Sequence, residues 1–129
     1  MGKGNLLGLA HIGVFVRDMD ASIDFYKRLG FTLDNAKETN TGVKISFLSA
    51  GSCVLELIGR NVEPYRTAGI VDHIAIQVDD MEAAIAKANA NGIEIDASKV
   101  GNVAFLGNVS NVFFTGPDGE RLEFFCNFD

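Results

Sequence analysis

Long apolar runs, basic clusters and paired cysteines are all missing from this sequence. Its two cysteines, Cys53 and Cys126, fit no CxxC or zinc-finger spacing. Both lie in apolar, strand-like runs, which reads as two reduced core thiols in a cytoplasmic protein. No stretch is long and apolar enough to span a bilayer, and the opening "MGKGNLLGLA" lacks the apolar core expected of a signal peptide. Basic residues are scattered and the net charge is −6, which sets aside nucleic acid and an anionic membrane as main partners. Histidine is scarce too: only His11 and His73 occur. What remains is 129 residues, 47% hydrophobic and 22% charged, enough for one globular domain with a real core.

The two histidines mark a repeat. "LAHIGVFVRDMDASIDFYKRLGF" from Leu9 aligns with "VDHIAIQVDDMEAAIAKANANGI" from Val71 at an offset of 62 residues. Eight of the 23 aligned positions are identical, including both histidines; roughly one or two would be expected from composition. Further on, "KISFLSAGSCVLELI" from Lys44 aligns with "NVFFTGPDGERLEFF" from Asn111 at an offset of 67, which places Glu56 on Glu123. The five extra residues are expected around "KVGNVAFLGN". Neither unit is expected to bury its apolar face alone.

Each unit opens with a β-rich run, "LAHIGVFV" or "VDHIAIQV". A segment with helical spacing follows, with Asp18 or Asp80 as the expected N-cap and Gly30 or Gly92 as the stop. Three strands are then predicted in each half: about 31–38, 42–49 and 52–59, then 93–99, 108–115 and 120–126. The expected organisation is a single α+β domain over 1–129. Module 1 covers about 8–59, a linker with Pro64 covers 60–69, and module 2 covers about 70–127. Two βαβββ modules make an eight-stranded curled mixed sheet.

Side chains alternate along a strand. Glu56 in "CVLELI" therefore shares a face with Val54 and Ile58, and Glu123 in "RLEFF" shares one with Arg121 and Phe125. A buried carboxylate without a partner is costly. Two such carboxylates and the only two histidines, one of each per module, suggest a shared cation held by all four. "GPDGERLEF" reads as a turn that starts the last strand.

These features, "HIGVFVRDMDASIDFY", "LELI", "DHIAIQVDD" and "GPDGERLEFF", resemble the vicinal oxygen chelate superfamily and within it the glyoxalase I-like branch. The resemblance spans about residues 8–127. It implies paired βαβββ modules curled around a divalent metal, the glyoxalase/bleomycin resistance/dihydroxybiphenyl dioxygenase fold. It also implies His11, Glu56, His73 and Glu123 as metal ligands. A full His-Glu-His-Glu set matches glyoxalase I. Ring-cleaving dioxygenases use two His and one Glu, and methylmalonyl-CoA epimerases usually carry Gln at the position of Glu56. Antibiotic-sequestering members often lack the ligands. The set suits Ni²⁺, Zn²⁺ or Co²⁺. The implied reaction is proton transfer on a small-molecule substrate with adjacent oxygens, such as the hemithioacetal of a 2-oxoaldehyde. The resemblance implies Glu123 as the base; the near symmetry of the modules keeps Glu56 open.

The chain departs from glutathione-using relatives at two points. Where they commonly place an Arg, four residues after the first His, it has Phe15. Where they often place an Asn, four residues after the first Glu, it has Arg60, followed by Asn61. Phe15 is expected to line the cavity, which puts glutathione in question as the thiol co-substrate. Arg121 is expected near Glu123, holding a substrate anion or pairing with a carboxylate. The Gly- and Asn-rich stretch "KVGNVAFLGNVS", with Phe105, is a candidate loop over the pocket. An epimerase-like isomerase and a non-catalytic binding protein are the alternatives. A homodimer is expected, because a curled four-stranded sheet leaves an edge for a second chain.

Overall fold

A computed structural model of the chain describes residues 3, 4, 7, 9–60, 71, 73–103 and 108–127. Module 1 runs β1 (Ile12–Val16), α1 (Met19–Leu29), β2 (Thr32–Glu38), β3 (Lys44–Ala50) and β4 (Cys53–Gly59). Module 2 runs β5 (Ile74–Gln77), α2 (Met81–Ala90), a 3-10 turn (Ala97–Lys99), β6 (Gly101–Asn102), β7 (Val109–Thr115) and β8 (Arg121–Asn127). The α+β class and the βαβββ repeat are as expected. The eight strands divide into two four-stranded mixed sheets, ordered β1-β4-β3-β2 and β5-β8-β7-β6. In each, the first strand lies parallel to the last and the other pairings are antiparallel.

Local chemistry sets the helix ends. Asp18 and Asp80 each accept a hydrogen bond from the backbone N–H three residues on, at 3.0 Å, which satisfies an open helix donor. Gly30 ends α1 at φ +125°, a conformation other residues rarely adopt. Asn91, rather than Gly92, is the cap of α2. Buried residues recur along α1 at Met19, Ser22, Phe25 and Tyr26 and along α2 at Met81, Ile85 and Ala88, so each helix buries one stripe. Leu48, Leu55, Leu57 and Leu122 are fully buried and join these stripes in one core that draws on both modules.

The predicted strand 93–99 does not form. Ile93 and Ile95 are buried as the alternation suggested. The backbone of Ile95, however, bonds to a side chain instead of a strand: its N–H donates to Asn89 Oδ1 at 2.8 Å, and Asn89 Nδ2 donates to its carbonyl at 3.2 Å. Asp96 then caps the 3-10 turn through the Ser98 N–H, at 3.0 Å. Pairing resumes only at β6, which is two residues long. Cys53 is half-buried, Cys126 is buried, and both are free thiols. Burial pushes the pKa of the Cys53 thiol up, which keeps it protonated and unreactive. No described helix is long and apolar enough to cross a membrane.

A polar network docks the modules. Asp118, in the turn between β7 and β8, accepts from the Arg17 backbone N–H and Nε, both at 3.1 Å, and from Ser22 Oγ at 3.4 Å. Glu120 accepts from the Tyr26 hydroxyl at 2.9 Å and from the Asp118 N–H at 2.8 Å. Gly116 leaves room for the Glu120 carboxylate, which a Cβ at that position would displace. Tyr26 is fully buried. Its burial, and then the negative charges of Glu120 and Asp118, hold its phenol well above the ordinary value of 10.0.

A group whose pKa is raised on folding stabilises the fold below its unfolded pKa and loses that contribution as pH rises. Urea denaturation of the wild type is therefore expected to show falling stability above about pH 10, the unfolded tyrosine value. Tyr26→Phe should lose this alkaline component and cost about 1–2 kcal/mol at neutral pH, because Glu120 loses a donor. An unchanged alkaline slope in the variant would assign it to another group.

Candidate metal centre

The parallel pairings build the site. Gly13 lies opposite Glu56 across β1 and β4, and Ala75 lies opposite Glu123 across β5 and β8. His11 and His73 each stand two residues before that point, just ahead of the first strand of their module, on the same face as the glutamate. His11 Nε2 comes within 3.3 Å of Glu56 Oε1, and His73 Nε2 within 3.2 Å of Glu123 Oε1. Gly13 leaves space beside Glu56: a Cβ there would lie 3.7 Å from Oε1.

Each pair has an aromatic wall. Phe47, opposite Glu56 on β3, meets the His11 ring edge-on at 5.6 Å; Phe113, opposite Glu123 on β7, meets His73 at 5.3 Å. The sequence alignment had matched Phe47 with Phe114. The strand register matches it with Phe113, because the turn Pro117–Gly119 is one residue longer than the turn Gly51–Ser52. Phe114 faces the core instead.

The halves differ in what surrounds the carboxylate. Asn111 Nδ2 donates to Glu123 Oε2 at 2.8 Å, so both oxygens of that carboxylate have neighbours. By the same register, module 1 has Ile45 where module 2 has Asn111. The side chain of Glu123 is 8% exposed and that of Glu56 is 21%. The expectation of two buried glutamates therefore holds for Glu123, while Glu56 is only partly covered, with the bare Gly13 beside it on β1. Asn111, Phe47 and Phe113 were not singled out from the sequence. The signal for them is the β7–β8 register, legible once "PDG" is counted as a three-residue turn.

Among the described residues, no three His, Cys, Asp or Glu side chains converge on one point. The four expected ligands stand as two separate pairs in a single chain, not as one cluster. Each pair nevertheless fits a divalent ion. Metal–ligand bonds of about 2.0–2.2 Å at adjacent positions set donor atoms about 3 Å apart, close to the spacing in both pairs. Imidazole with carboxylate is a donor set of intermediate hardness, suited to Zn²⁺, Ni²⁺ or Co²⁺.

The other expected site residues lie nearby. Phe15 shares a strand face with His11 and Gly13 and is 45% exposed. The Arg60 guanidinium sits 5.6 Å from its ring centre. Arg60 is held where β4 ends by its N–H, which donates to the Val16 carbonyl at 3.0 Å. The Arg121 guanidinium stacks 4.8 Å from the centre of Phe113, so it stands beside the His73–Glu123 pair. Phe105 lies outside the described residues, as does Asn61; the flanking parts of the expected loop form the end of the 3-10 turn, β6 and the start of β7.

Comparison with known proteins agrees with this architecture. The uncharacterized protein YwbC of Bacillus subtilis strain 168 is 35% identical over 123 residues, covering 89% of this chain and 94% of YwbC. The crystal structure of a glyoxalase family protein from Enterococcus faecalis superposes with a TM-score of 0.77 at 26% identity, covering 92% of this chain and 97% of that one. The fosfomycin resistance protein FosX of Listeria monocytogenes, solved with Mn(II) and sulfate, has the same fold, with a TM-score of 0.70 at 17% identity and coverage of 95% and 94%. The model of the Glyoxalase/Bleomycin resistance protein/Dioxygenase superfamily matches residues 8–124, and the chain belongs to that superfamily.

Proposed function

We propose that the protein is a divalent-metal-dependent lyase or isomerase of the glyoxalase I type, cytoplasmic, with His11, Glu56, His73 and Glu123 as the metal ligands. The observation that carries this reading is the His–Glu pair repeated in both modules, at 3.3 and 3.2 Å. One pair offers only two protein donors, so a four-ligand ion needs two pairs facing each other. We infer a homodimer in which module 1 of one chain faces module 2 of its partner. The exposure of Phe15 and Phe113, at 45% and 42% on those two faces, supports a covering partner.

When bound, the ion supplies Lewis-acid stabilisation of the charge that develops on the substrate oxygens. Glu123 takes the proton from one substrate carbon and returns it to the neighbouring carbon. Asn111 holds Glu123 Oε2 and so fixes the carboxylate's orientation. Phe15 and Phe113 wall the cavity and exclude water, while Arg60 and Arg121, stacked on those rings, offer positive charge to an anionic group of the substrate.

Metal analysis, light scattering and a proton-exchange assay on 2-oxoaldehyde–thiol adducts test the reading together. A dimer with about one ion per four-ligand set is expected, and His11→Ala or His73→Ala should strip it. Unchanged metal content in both variants would remove the proposed centre. Mixing His11→Ala chains with Glu123→Gln chains should restore activity if the sites are shared, because one of the two sites in a mixed dimer is then intact.

Glu123→Gln should keep much of the metal and lose most proton transfer, since an amide can ligate but is no base. Asn111→Ala should lower kcat with a smaller change in metal content and cost about 1–2 kcal/mol in denaturation, because Glu123 loses a donor. An active Glu123→Gln protein would move the base to Glu56.

Phe15 removes a charge-assisted contact to a glutathione carboxylate worth about 1.5–3 kcal/mol, roughly a ten- to hundredfold weaker fit. The methylglyoxal–glutathione adduct should therefore be a poor substrate compared with a smaller thiol adduct or another 2-oxo compound. Phe15→Arg should raise kcat/KM for the glutathione adduct without changing metal content. Efficient turnover of that adduct by the wild type would show that Phe15 does not select against it.

A further inference from the structure

The face of the second sheet that turns away from Glu123 carries a cavity of its own. Alternation along β7 sends Asn111 and Phe113 toward the His73–Glu123 pair and Ser110, Val112 and Phe114 toward α2. Between α2, the 3-10 turn and β7 lies a groove of about 600 Å³, within the usual range for small-molecule sites. Met81, Ile85 and Val100 form apolar walls and Ser110 lines the groove beside them. The mouth lies at Glu82, Ala86 and Asn102, which are exposed.

Ser110 makes this groove more than a packing gap. It is 4% exposed, and its Oγ has no hydrogen-bond partner among the described residues. A buried hydroxyl left unpaired costs about 1–3 kcal/mol, and such orphans are few in a folded chain. Rotation about one bond turns a serine hydroxyl, which can donate or accept. Among the described residues lining the groove, the charged ones, Asp80 and Glu82, are both acidic. The groove thus has apolar walls and a negative rim, and one unsatisfied neutral hydroxyl sits buried against its floor.

We propose that this groove is a second binding site, separate from the His–Glu pairs, for a small apolar molecule bearing one hydroxyl or amine that pairs with Ser110 Oγ. Its apolar body packs on Met81, Ile85 and Val100. Asp80 and Glu82 reject a carboxylate and tolerate an ammonium.

The test is an amide-resolved NMR titration of the full chain with benzyl alcohol, benzylamine and benzoate. The first two should shift the Ala86, Val100 and Ser110 amides saturably, with benzoate binding about tenfold more weakly or not at all. Ser110→Ala should weaken the first two on the order of tenfold, as expected for one lost hydrogen bond. Ala86→Trp, at an exposed helix position, should close the mouth and abolish their binding. If Ser110→Ala fails to fold, Ala86→Trp alone decides: unchanged affinity there overturns the proposal and lost binding supports it. Absence of saturable shifts at these amides, benzoate binding as well as benzylamine, or affinities unchanged in folded Ser110→Ala would each overturn it. None of these readouts depends on metal or turnover.

Discussion

The parallel pairing of the first and last strand in each module is the constraint on which the site depends. A parallel pair cannot be closed by a tight turn, so the chain must travel through a helix and two further strands before it returns. That journey is the βαβββ unit. The return brings Glu56 beside His11 and Glu123 beside His73, residues far apart in sequence. A slip of one residue would turn each glutamate toward the core. Leu55 and Leu57 on one side of β4, and Leu122 and Phe124 on one side of β8, are buried and hold the register. Core packing therefore fixes the placement of the polar groups on the opposite face.

The same alternation explains why one chain does not bring the four expected ligands together. α1 packs on the side of sheet 1 that carries Leu48, Leu55 and Leu57, and α1 also provides Ser22 and Tyr26 to the second module. The modules are joined through the helix side. The His–Glu faces lie on the other side of their sheets. Arg17 follows β1 directly, and Asp118 and Glu120 lead into β8, so the docking network links the strands that carry both pairs. Ser22, Tyr26 and Asp118 are buried while Arg17 is exposed, so removing a partner of Asp118 leaves a buried carboxylate short of a donor, which costs more than the pair contributes when intact. The turn "GPDGE" is therefore part of module docking as well as the start of a strand.

Much of this was legible in the sequence because it rests on local rules. Helix caps at Asp18 and Asp80, the period-two alternation around Glu56 and Glu123, and the repeat of both histidines all survive in the structure. The missing strand at 93–99 was not legible. Ile93 and Ile95 alternate as a strand would, and only the capture of the Ile95 backbone by Asn89 decides otherwise. Asn111 was missed for a different reason. Its role depends on the cross-strand register, which a single turn residue shifts by one. The separation of the four expected ligands into two pairs was hidden too, because it depends on how modules dock, and an internal repeat states only that they are alike.

Likeness between the halves makes their differences informative. The shared part is a histidine, a glutamate and an edge-on phenylalanine, the groups on which the proposed ion site draws. The unshared parts sit around it. Module 2 adds Asn111, which clamps one carboxylate, and Arg121 on Phe113. Module 1 has Ile45 at the place of Asn111 and leaves Glu56 more exposed, with Phe15 and Arg60 beside it where the repeat places Gln77 and Asn127 in module 2. A clamped carboxylate keeps one orientation through a reaction cycle, whereas an exposed one beside an aromatic–guanidinium pair faces whatever the cavity admits. The repeat thus gives two His–Glu pairs of like geometry. On the proposed function, these differences on the strand faces divide the work: proton handling falls to module 2, with its clamped Glu123, and substrate selection to module 1.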